Sequence, residues 1–581
     1  MAGINGEVAR LLYEYTDLLK LEEGSPQAFR VRAYERAAAA VRDAKVDVAG
    51  LSLAELQRID GIGKSTAEKI LEYVATGSMA GLEKLRAKYP PGFVELTRIP
   101  GVGPKTVLLL RDELGIDSVD RLRDAIEAGS LADLPRLGAK SQEKIAKAIE
   151  RMGLHGKDRR TPIIQALGVA LEIVAHLERL PAAKHVTYCG SLRRFRDTIG
   201  DVDILVAATS AAPVMDAFTS MPMARQVVAK GETKASILTA GDLQVDLRVV
   251  APSEFGAATL YFTGSKEHNI ALRQRAIERG WILNEYALAD AETEEVVASK
   301  TEKAIYAALG LPLIAPELRE GWGEIEAAEA GTLPRPVEEK DIRGDLHVHS
   351  TWSGDGRSSL EDMVAEAARR GLEYIAITEH GENLAINGLS RDEVRSEREV
   401  IAGLRRLHPQ LTILHGAELN IGPDGSLDYD DEFLMEFDFC VASVHSAFDL
   451  SESEQTDRVL RAIAHPAVNV VGHLTGRRIG KRPGIEVDIE AVYGAASDTG
   501  TGLEINCHLD RLDVPSDLLR LARDRDDVTF VISTDSHHTK EFGNVAWGVR
   551  NARRGWVAKA RIANTWPRDR FLRWVAAKRS R

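Results

Sequence analysis

The apolar patterning of this sequence predicts a multidomain protein with an all-α N-terminal third, an α+β centre and a C-terminal distorted α/β barrel. Three observations lead there. Residues up to 159 are rich in Ala, Leu, Lys and Glu, with apolar side chains at helical spacing. From residue 160 the texture changes to short strand-like runs, HVTYCG, VDILVA, ASILTA and LQVDLRVV, preceded by a helix in TPIIQALGVALEIVAHLERL. After residue 341, runs such as YIAIT, LTILHGAEL, FCVASVH, VNVVGHL, GLEINC and TFVIST alternate with helical segments and end in polar or metal-binding side chains. Alternation of that kind builds a barrel with its site at the C-terminal ends of the strands.

At 581 residues the chain exceeds what a single core serves, so several domains are expected. Apolar and charged fractions of 44% and 28% are those of a soluble globular protein. No uninterrupted apolar run approaches the roughly 20 residues of a membrane span. The opening MAGINGEVARLLYEY lacks a signal-peptide pattern, and Cys189, Cys440 and Cys507 stand far apart, outside any CxxC arrangement. These features lead us to expect a cytoplasmic protein with no membrane partner. The formal net charge of −13 is unusual for a nucleic-acid binder but does not exclude one. Clusters of Asp, Glu and His count as negative until cations bind, and backbone N–H groups grip phosphate without formal charge.

Three related passages recur in the helical third: IDGIGKSTAEKI, IPGVGPKTVLLL and LPRLGAKSQEKI. In each, an apolar residue precedes a glycine turn that opens a helix. Glycine permits φ > 0 and close backbone approach, and the following helix N-terminus offers free N–H groups and a positive dipole end to phosphate. Gly61 and Gly63 form one such turn and Gly101 and Gly103 the second, while the third keeps only Gly138. The passages resemble the helix-hairpin-helix motif, which holds the DNA backbone without reading sequence.

In GSLRRFRDTIGDVD, Asp201 and Asp203 sit two apart on a strand, so both carboxylates face the same way. Asp246 in LQVDLRVV can join them from a neighbouring strand. Three adjacent carboxylates repel one another unless cations neutralise them. Two Mg²⁺ or Mn²⁺ ions roughly 3.5–4 Å apart would do so while activating a 3′-hydroxyl and a leaving pyrophosphate. Gly190 and Ser191 offer a close approach and a hydroxyl to triphosphate oxygens, and Arg194 a charge-assisted hydrogen bond.

GSLRRFRDTIGDVDILV resembles the signature of family X DNA polymerases, and YFTGSKEHN with LNEYAL resembles their second conserved segment. The resemblance covers residues 1–316 and implies a lyase-like helix-hairpin-helix domain (1–82), fingers with a second hairpin (83–159), a nucleotidyltransferase palm (160–251) and a thumb (252–316). It implies that Asp201, Asp203 and Asp246 carry the metals, with Asp246 placed at the primer hydroxyl, and that Gly190, Ser191 and Arg194 hold the triphosphate. Tyr261, Phe262 and Gly264 would wall the sugar, and Asn269 and Arg273 would contact the nascent pair and the minor groove. Lys69 falls where lyase-active members carry a Schiff-base lysine, which must be partly neutral to attack an aldehyde. The family also suggests a monomer that works on gapped or primer-template DNA with dNTPs, in association with the nucleoid.

A Gly-, Pro- and Glu-containing stretch at 317–341 reads as a linker. Beyond it, GDLHVHS places His347 and His349 on one face of a strand. His380, Glu418, His445, His473, Asp535 and His537 follow at later strand ends. Imidazole mixed with carboxylate and no thiolate favours Mn²⁺, Zn²⁺ or iron, and the set is large enough for two or three ions. The pattern over 342–581 resembles the PHP (polymerase and histidinol phosphatase) domain, which implies a metal-dependent 3′–5′ exonuclease or phosphoesterase. There are two departures from that pattern. SGDG carries an extra glycine before the candidate ligand Asp355, and Glu379 stands before His380 where the family usually has aspartate. A gap-filling repair polymerase joined to a nuclease is the leading reading. A small-molecule phosphatase tethered to DNA and a non-catalytic DNA-end scaffold are its competitors.

Overall fold

From Ile4 to Arg151 every described element is helical, because this stretch repeats apolar residues at helical spacing and punctuates them with glycine. The computed structural model describes residues 4–580 except 24–28, 45, 47, 60, 90, 98, 100, 132–133, 135–136, 152–159 and 385–386. The chain divides into two units, 1–159 with 480–483, and 160–479 with 484–581.

In the first unit, helices Ile4–Glu23 and Phe29–Asp43 pack together with Lys64–Thr76, Pro104–Leu114 and Val119–Glu127 around one apolar cluster that runs from Val8 to Ile149. The two hairpin domains expected at 1–82 and 83–159 therefore share a core. Gly61 and Gly101 take φ of +86° and +87°, and Gly63 and Gly103 cap the next helices without a side-chain hydrogen bond. Gly138 opens Ala139–Arg151, and its carbonyl accepts from the amides of Ser141 and Gln142.

In the second unit, after a short strand Thr161–Pro162, helix Ile163–Leu177 packs on a five-stranded sheet. Across the sheet the strands run Ala183–Tyr188, Asp201–Ala208, Gln244–Val250, Lys234–Thr239 and Ala224–Lys230. The last of these, ARQVVAK, was not read from sequence: it is an edge strand with six of its seven residues exposed, so it lacks the apolar alternation that marks the others. Helices Phe255–Thr263 and Lys266–Ile277, a three-stranded sheet and helix Glu302–Ala308 follow.

Residues 317–341 do not form a solvated linker. Glu317, Leu318, Arg319, Glu320, Glu324, Ile325 and Ala328 are buried, and helix Glu324–Ala330 packs against Leu272 and Ile305 in the preceding domain's core. The charged composition was misleading because these charges are paired internally. Fully buried Arg319 donates to Glu302 at 2.6 Å, Arg193 grips the same carboxylate, and His268 lies between Glu324 and the Tyr306 hydroxyl, at 2.7 Å from each.

Seven parallel strands then run in sequence order from Gly344–Asp345 to Phe530–Ser533. The sheet curls until Val348 pairs in parallel with Ser536 and the His349 amide donates to the Ser536 carbonyl, which brings the first and last strands together as a barrel. The strands are buried almost throughout, as expected of parallel strands covered by helices.

Burial alone would raise the Glu302 carboxyl, but Arg319 and Arg193 hold it at about 2, below its usual 4.5. The stability it contributes is therefore present above the usual carboxylate value and is lost as pH falls towards about 2. Glu302→Ala leaves two largely buried guanidiniums without their carboxylate and is expected to cost about 3–5 kcal/mol in chemical denaturation at neutral pH. Glu302→Gln is expected to flatten the acid limb of the stability profile.

Candidate functional site

Two separate clusters of metal-binding side chains form at strand ends in the second unit. The first lies on the five-stranded sheet. Strands Asp201–Ala208 and Gln244–Val250 are parallel neighbours in a register that sets Asp203 opposite Asp246, and Asp201 points to the same face. The three carboxylates offer oxygens within 4.8 Å of one another. Burial, then Asp201 and Asp246, push the Asp203 carboxyl up to about 7, against the pull of Arg194 and Lys234. A carboxylate held so far from its ordinary range needs positive charge beside it, which makes a divalent-cation pair a good fit.

Gly190 precedes this edge at φ +61°, and any side chain there would collide with the Asp203 carboxylate. The Cys189 amide donates to the Asp203 carbonyl, which seats Gly190 and Ser191 directly against the triad. Arg194 is not open as its sequence position suggests. Its Nε donates to Glu320 at 3.0 Å and its Nη1 to the Thr263 carbonyl at 2.5 Å. Glu320 also receives Arg196 at 2.7 Å and Arg554 at 2.7 Å. The Thr263 bond joins this loop to the turn of Tyr261, Phe262 and Gly264. There Asn269 donates to the Tyr261 carbonyl, the Arg273 guanidinium lies 5.2 Å over the Tyr261 ring, and the Phe262 ring meets Tyr261 edge-on. The candidate nucleotide-binding residues thus form one connected wall.

The second cluster sits in the barrel mouth, where Glu418 is the hub. Its oxygens lie 2.9 Å from His380 and His473, 3.2 Å from His445, 3.4 Å from His347 and 3.6 Å from His349. Asp535 approaches His347 and His349 at 3.7 and 3.5 Å. Three overlapping ligand groups result: His349, His380 and His537; His347, His349 and Glu418; and Glu418, His445 and His473. Buried ring nitrogens of His347, His349 and His473 form no hydrogen bond, which is costly in a protein interior unless a cation takes their lone pairs. Burial lowers His349 and His473 to about 3, so both are neutral and ready to ligate at ordinary pH.

Both departures from the expected pattern are accommodated. Despite the extra glycine, Asp355 reaches His380 Nε2 at 3.3 Å and His537 Nε2 at 3.4 Å. Its carboxyl lies well below the usual range: burial opposes this, but hydrogen bonds from the two histidines outweigh it. Glu379 turns away to accept from the Ser350 amide and hydroxyl and from the Ser353 amide, so the longer side chain braces the turn after the H-x-H strand.

Sequence reading missed several supports. Glu504 accepts from His347 Nδ1 at 2.7 Å and from the His473 amide at 2.6 Å. Asn420 faces His445 Nδ1 at 2.8 Å and is itself held by buried Asp428. These contacts fix which ring nitrogen faces the cluster. The available signal was a carboxylate inside the otherwise apolar run GLEINC.

In the first unit, Lys69 lies 5.5 and 5.4 Å from the Tyr15 and Tyr34 rings and donates to Ser65.

Family models match as a helix-hairpin-helix domain at 4–79, a SAM-like helix-hairpin-helix tandem at 93–151, a DNA polymerase beta thumb at 258–320 and a PHP domain at 345–508. The chain is 37% identical over 562 residues to the DNA polymerase/3′-5′ exonuclease PolX of Bacillus subtilis (strain 168), covering 96% of this chain and 97% of that protein. It is 34% identical over 167 residues to a probable phosphatase of Syntrophotalea carbinolica, covering 28% of this chain and 64% of that protein. It is 31% identical over 210 residues to a probable phosphatase of Acetivibrio thermocellus, covering 34% and 81%. Among the described residues no helix is long and apolar enough to cross a membrane.

A folded barrel gathers ligands that the unfolded chain scatters, so bound metal adds stability, about 2.7 kcal/mol at a hundred times Kd. Mn²⁺ or Zn²⁺ is expected to raise Tm in a thermal-shift measurement. The gain should shrink at acid pH as histidines protonate and should fall sharply in His349→Ala.

Proposed function

The chain belongs to the family X DNA polymerases that carry a C-terminal PHP domain, and on that basis we propose that it fills short gaps in DNA during repair and trims 3′ ends with its barrel. The observation that carries this reading is the presence of two independent ligand clusters, three carboxylates on the palm sheet and a histidine–carboxylate set in the barrel mouth.

In the palm, Asp201, Asp203 and Asp246 would hold Mg²⁺ or Mn²⁺, which supply charge neutralisation and Lewis acidity at the primer hydroxyl and the triphosphate. The rest is the work of this chain's own groups. The Gly190–Ser191 turn admits triphosphate oxygens beside Asp203 because no side chain intervenes. Arg194 turns from Glu320 towards the triphosphate. Tyr261, Phe262 and Gly264 wall the sugar, Asn269 and Arg273 meet the nascent pair, and Asp246 faces the primer hydroxyl. A template-paired dNTP is held where in-line attack on its α-phosphate is the favoured geometry.

In the barrel, His347, His349, Asp355, His380, Glu418, His445, His473, Asp535 and His537 would hold two or three ions, Mn²⁺ or Zn²⁺, which provide hydroxide and stabilise an attacked phosphodiester. Glu504 and Asn420 keep His347 and His445 in the ligating tautomer, and Glu379 braces the Ser350–Ser353 turn. The glycine turns at Gly61–Gly63 and Gly101–Gly103 hold DNA phosphates, the first at the 5′ side of a gap and the second on the primer duplex. The protein works as a monomer in the bacterial cytoplasm, on the nucleoid. Lys69 acts as a phosphate contact in preference to a Schiff-base lysine.

Asp203→Ala is expected to reduce dNTP incorporation on gapped duplex by roughly a thousandfold, about 4 kcal/mol at 1.36 kcal/mol per tenfold, while 3′ trimming persists. His349→Ala is expected to do the reverse. Gel analysis of an end-labelled primer reads both, and incorporation retained by Asp203→Ala refutes the assignment.

A further inference from the structure

The loop that connects Ser191 to Asp201 is fastened from outside the palm. Helix Val545–Arg554, which follows the barrel's Asp535 and His537, reaches it with three side chains. Arg550 donates to the Arg193 carbonyl at 2.6 Å, to the Tyr188 hydroxyl at 3.0 Å and to Glu317 at 2.8 Å, and its guanidinium lies 4.5 Å over the Phe195 ring. Arg554 donates to the Arg194 carbonyl at 3.0 Å and to Glu320 at 2.7 Å. Trp547 stacks on Phe195, a fully buried residue of the loop at φ +61°. Further along, Arg477 of the barrel holds Asp197 at 2.7 Å while its other nitrogens grip the Arg511 and Leu512 carbonyls.

The helix has no freedom to follow the loop, because the barrel pins it. A side chain at Gly548 would run into Cys507 and Ile532, and Asn551 donates to the Leu512 and Val514 carbonyls. Each of residues 193, 194, 195 and 197 thus meets a barrel side chain directly. Three guanidiniums, Arg194, Arg196 and Arg554, also share the single Glu320 carboxylate, whose side chain is 1% exposed. If Arg194 swings to an incoming triphosphate, Arg196 and Arg554 still satisfy Glu320. Arg554 of the barrel and Arg196 of the loop therefore share in removing the penalty of a stranded buried carboxylate that would otherwise oppose nucleotide binding.

We infer that the barrel helix Val545–Arg554 is a positioning element of the palm's nucleotide site, with Arg550 and Arg554 holding the Arg193–Asp197 loop and freeing Arg194 for the triphosphate. Polymerisation then depends on the barrel as a scaffold, separately from the barrel's own metal chemistry. The inference rests on the reading of Ser191 and Arg194 as the triphosphate grip.

The test is steady-state single-nucleotide incorporation on gapped duplex by the full chain, with 3′ trimming measured on the same preparations. Arg550→Met and Arg554→Met are expected to raise KM for dNTP tenfold or more, to change kcat less, and to leave trimming and DNA affinity within twofold. Arg554→Lys, which keeps the charge and loses the forked geometry, is expected to fall between them and the unsubstituted chain. A KM within twofold of the unsubstituted chain in variants that still trim overturns the inference. If the methionine variants lose trimming through misfolding, the lysine variant decides in the same way, by a raised or an unchanged KM at full trimming. An unsubstituted chain that incorporates no nucleotide refutes the polymerase reading itself, an outcome distinct from an unchanged KM.

Discussion

Negative charge and unpartnered imidazole crowded at strand ends are the constraint on which the rest of the second unit depends. In the palm, parallel register forces Asp203 and Asp246 side by side with Asp201 on the same face, and burial lifts Asp203 far above an ordinary carboxylate. In the barrel, five histidines converge on the two oxygens of Glu418, and buried ring nitrogens of His349 and His473 are left without a hydrogen bond. Neither arrangement makes sense as packing alone, because each costs free energy that only bound cations return. Tight backbone geometry serves the same end: Gly190 lets the loop lie on Asp203, and Gly381 leaves room for Asp428, which holds Asn420 against His445.

What could be read from the sequence was whatever local spacing determines. D-x-D and H-x-H put two side chains on one strand face whatever the tertiary structure, so Asp201 with Asp203 and His347 with His349 needed no further information. The βα alternation of the barrel was equally plain, since buried parallel strands are continuous apolar runs. What escaped was set by distant partners. Glu504 meets His347 across 157 positions, and Glu320 meets Arg554 across 234, so no local pattern announces either. The same cause explains the stretch 317–341: its glutamates look solvated until the arginines and histidine that neutralise them are seen. The edge strand ARQVVAK was invisible for the opposite reason, having too little burial to impose alternation. The extra glycine before Asp355 and the glutamate at 379 were departures that sequence could register but not weigh. Side-chain reach places Asp355 beside His380 and His537, and Glu379 on the Ser350–Ser353 turn.

The two candidate ligand clusters belong to one structural unit, and the loop proposed to bear the palm's nucleotide contacts is braced by the helix that follows Asp535 and His537. This gives a physical reason for a polymerase and a 3′-trimming domain to share a chain beyond mere tethering. The barrel supplies cationic support to a loop in which Arg194 and Arg196 share one carboxylate, Glu320. The phosphate contacts proposed for the hairpin glycines of the first unit suit a protein that is overall acidic: N–H groups at helix starts attract DNA without raising net charge.

The central claim is that one chain carries two working metal centres with opposite effects on a DNA 3′ end. The most direct test follows a 5′-labelled primer in a gapped duplex incubated with the unsubstituted protein and Mn²⁺, with and without dNTPs. Extension by the gap length when dNTPs are present, and stepwise shortening when they are absent, is the predicted result. A primer that stays unchanged in both conditions while the protein still binds the duplex would contradict the account and leave a DNA-end scaffold in its place.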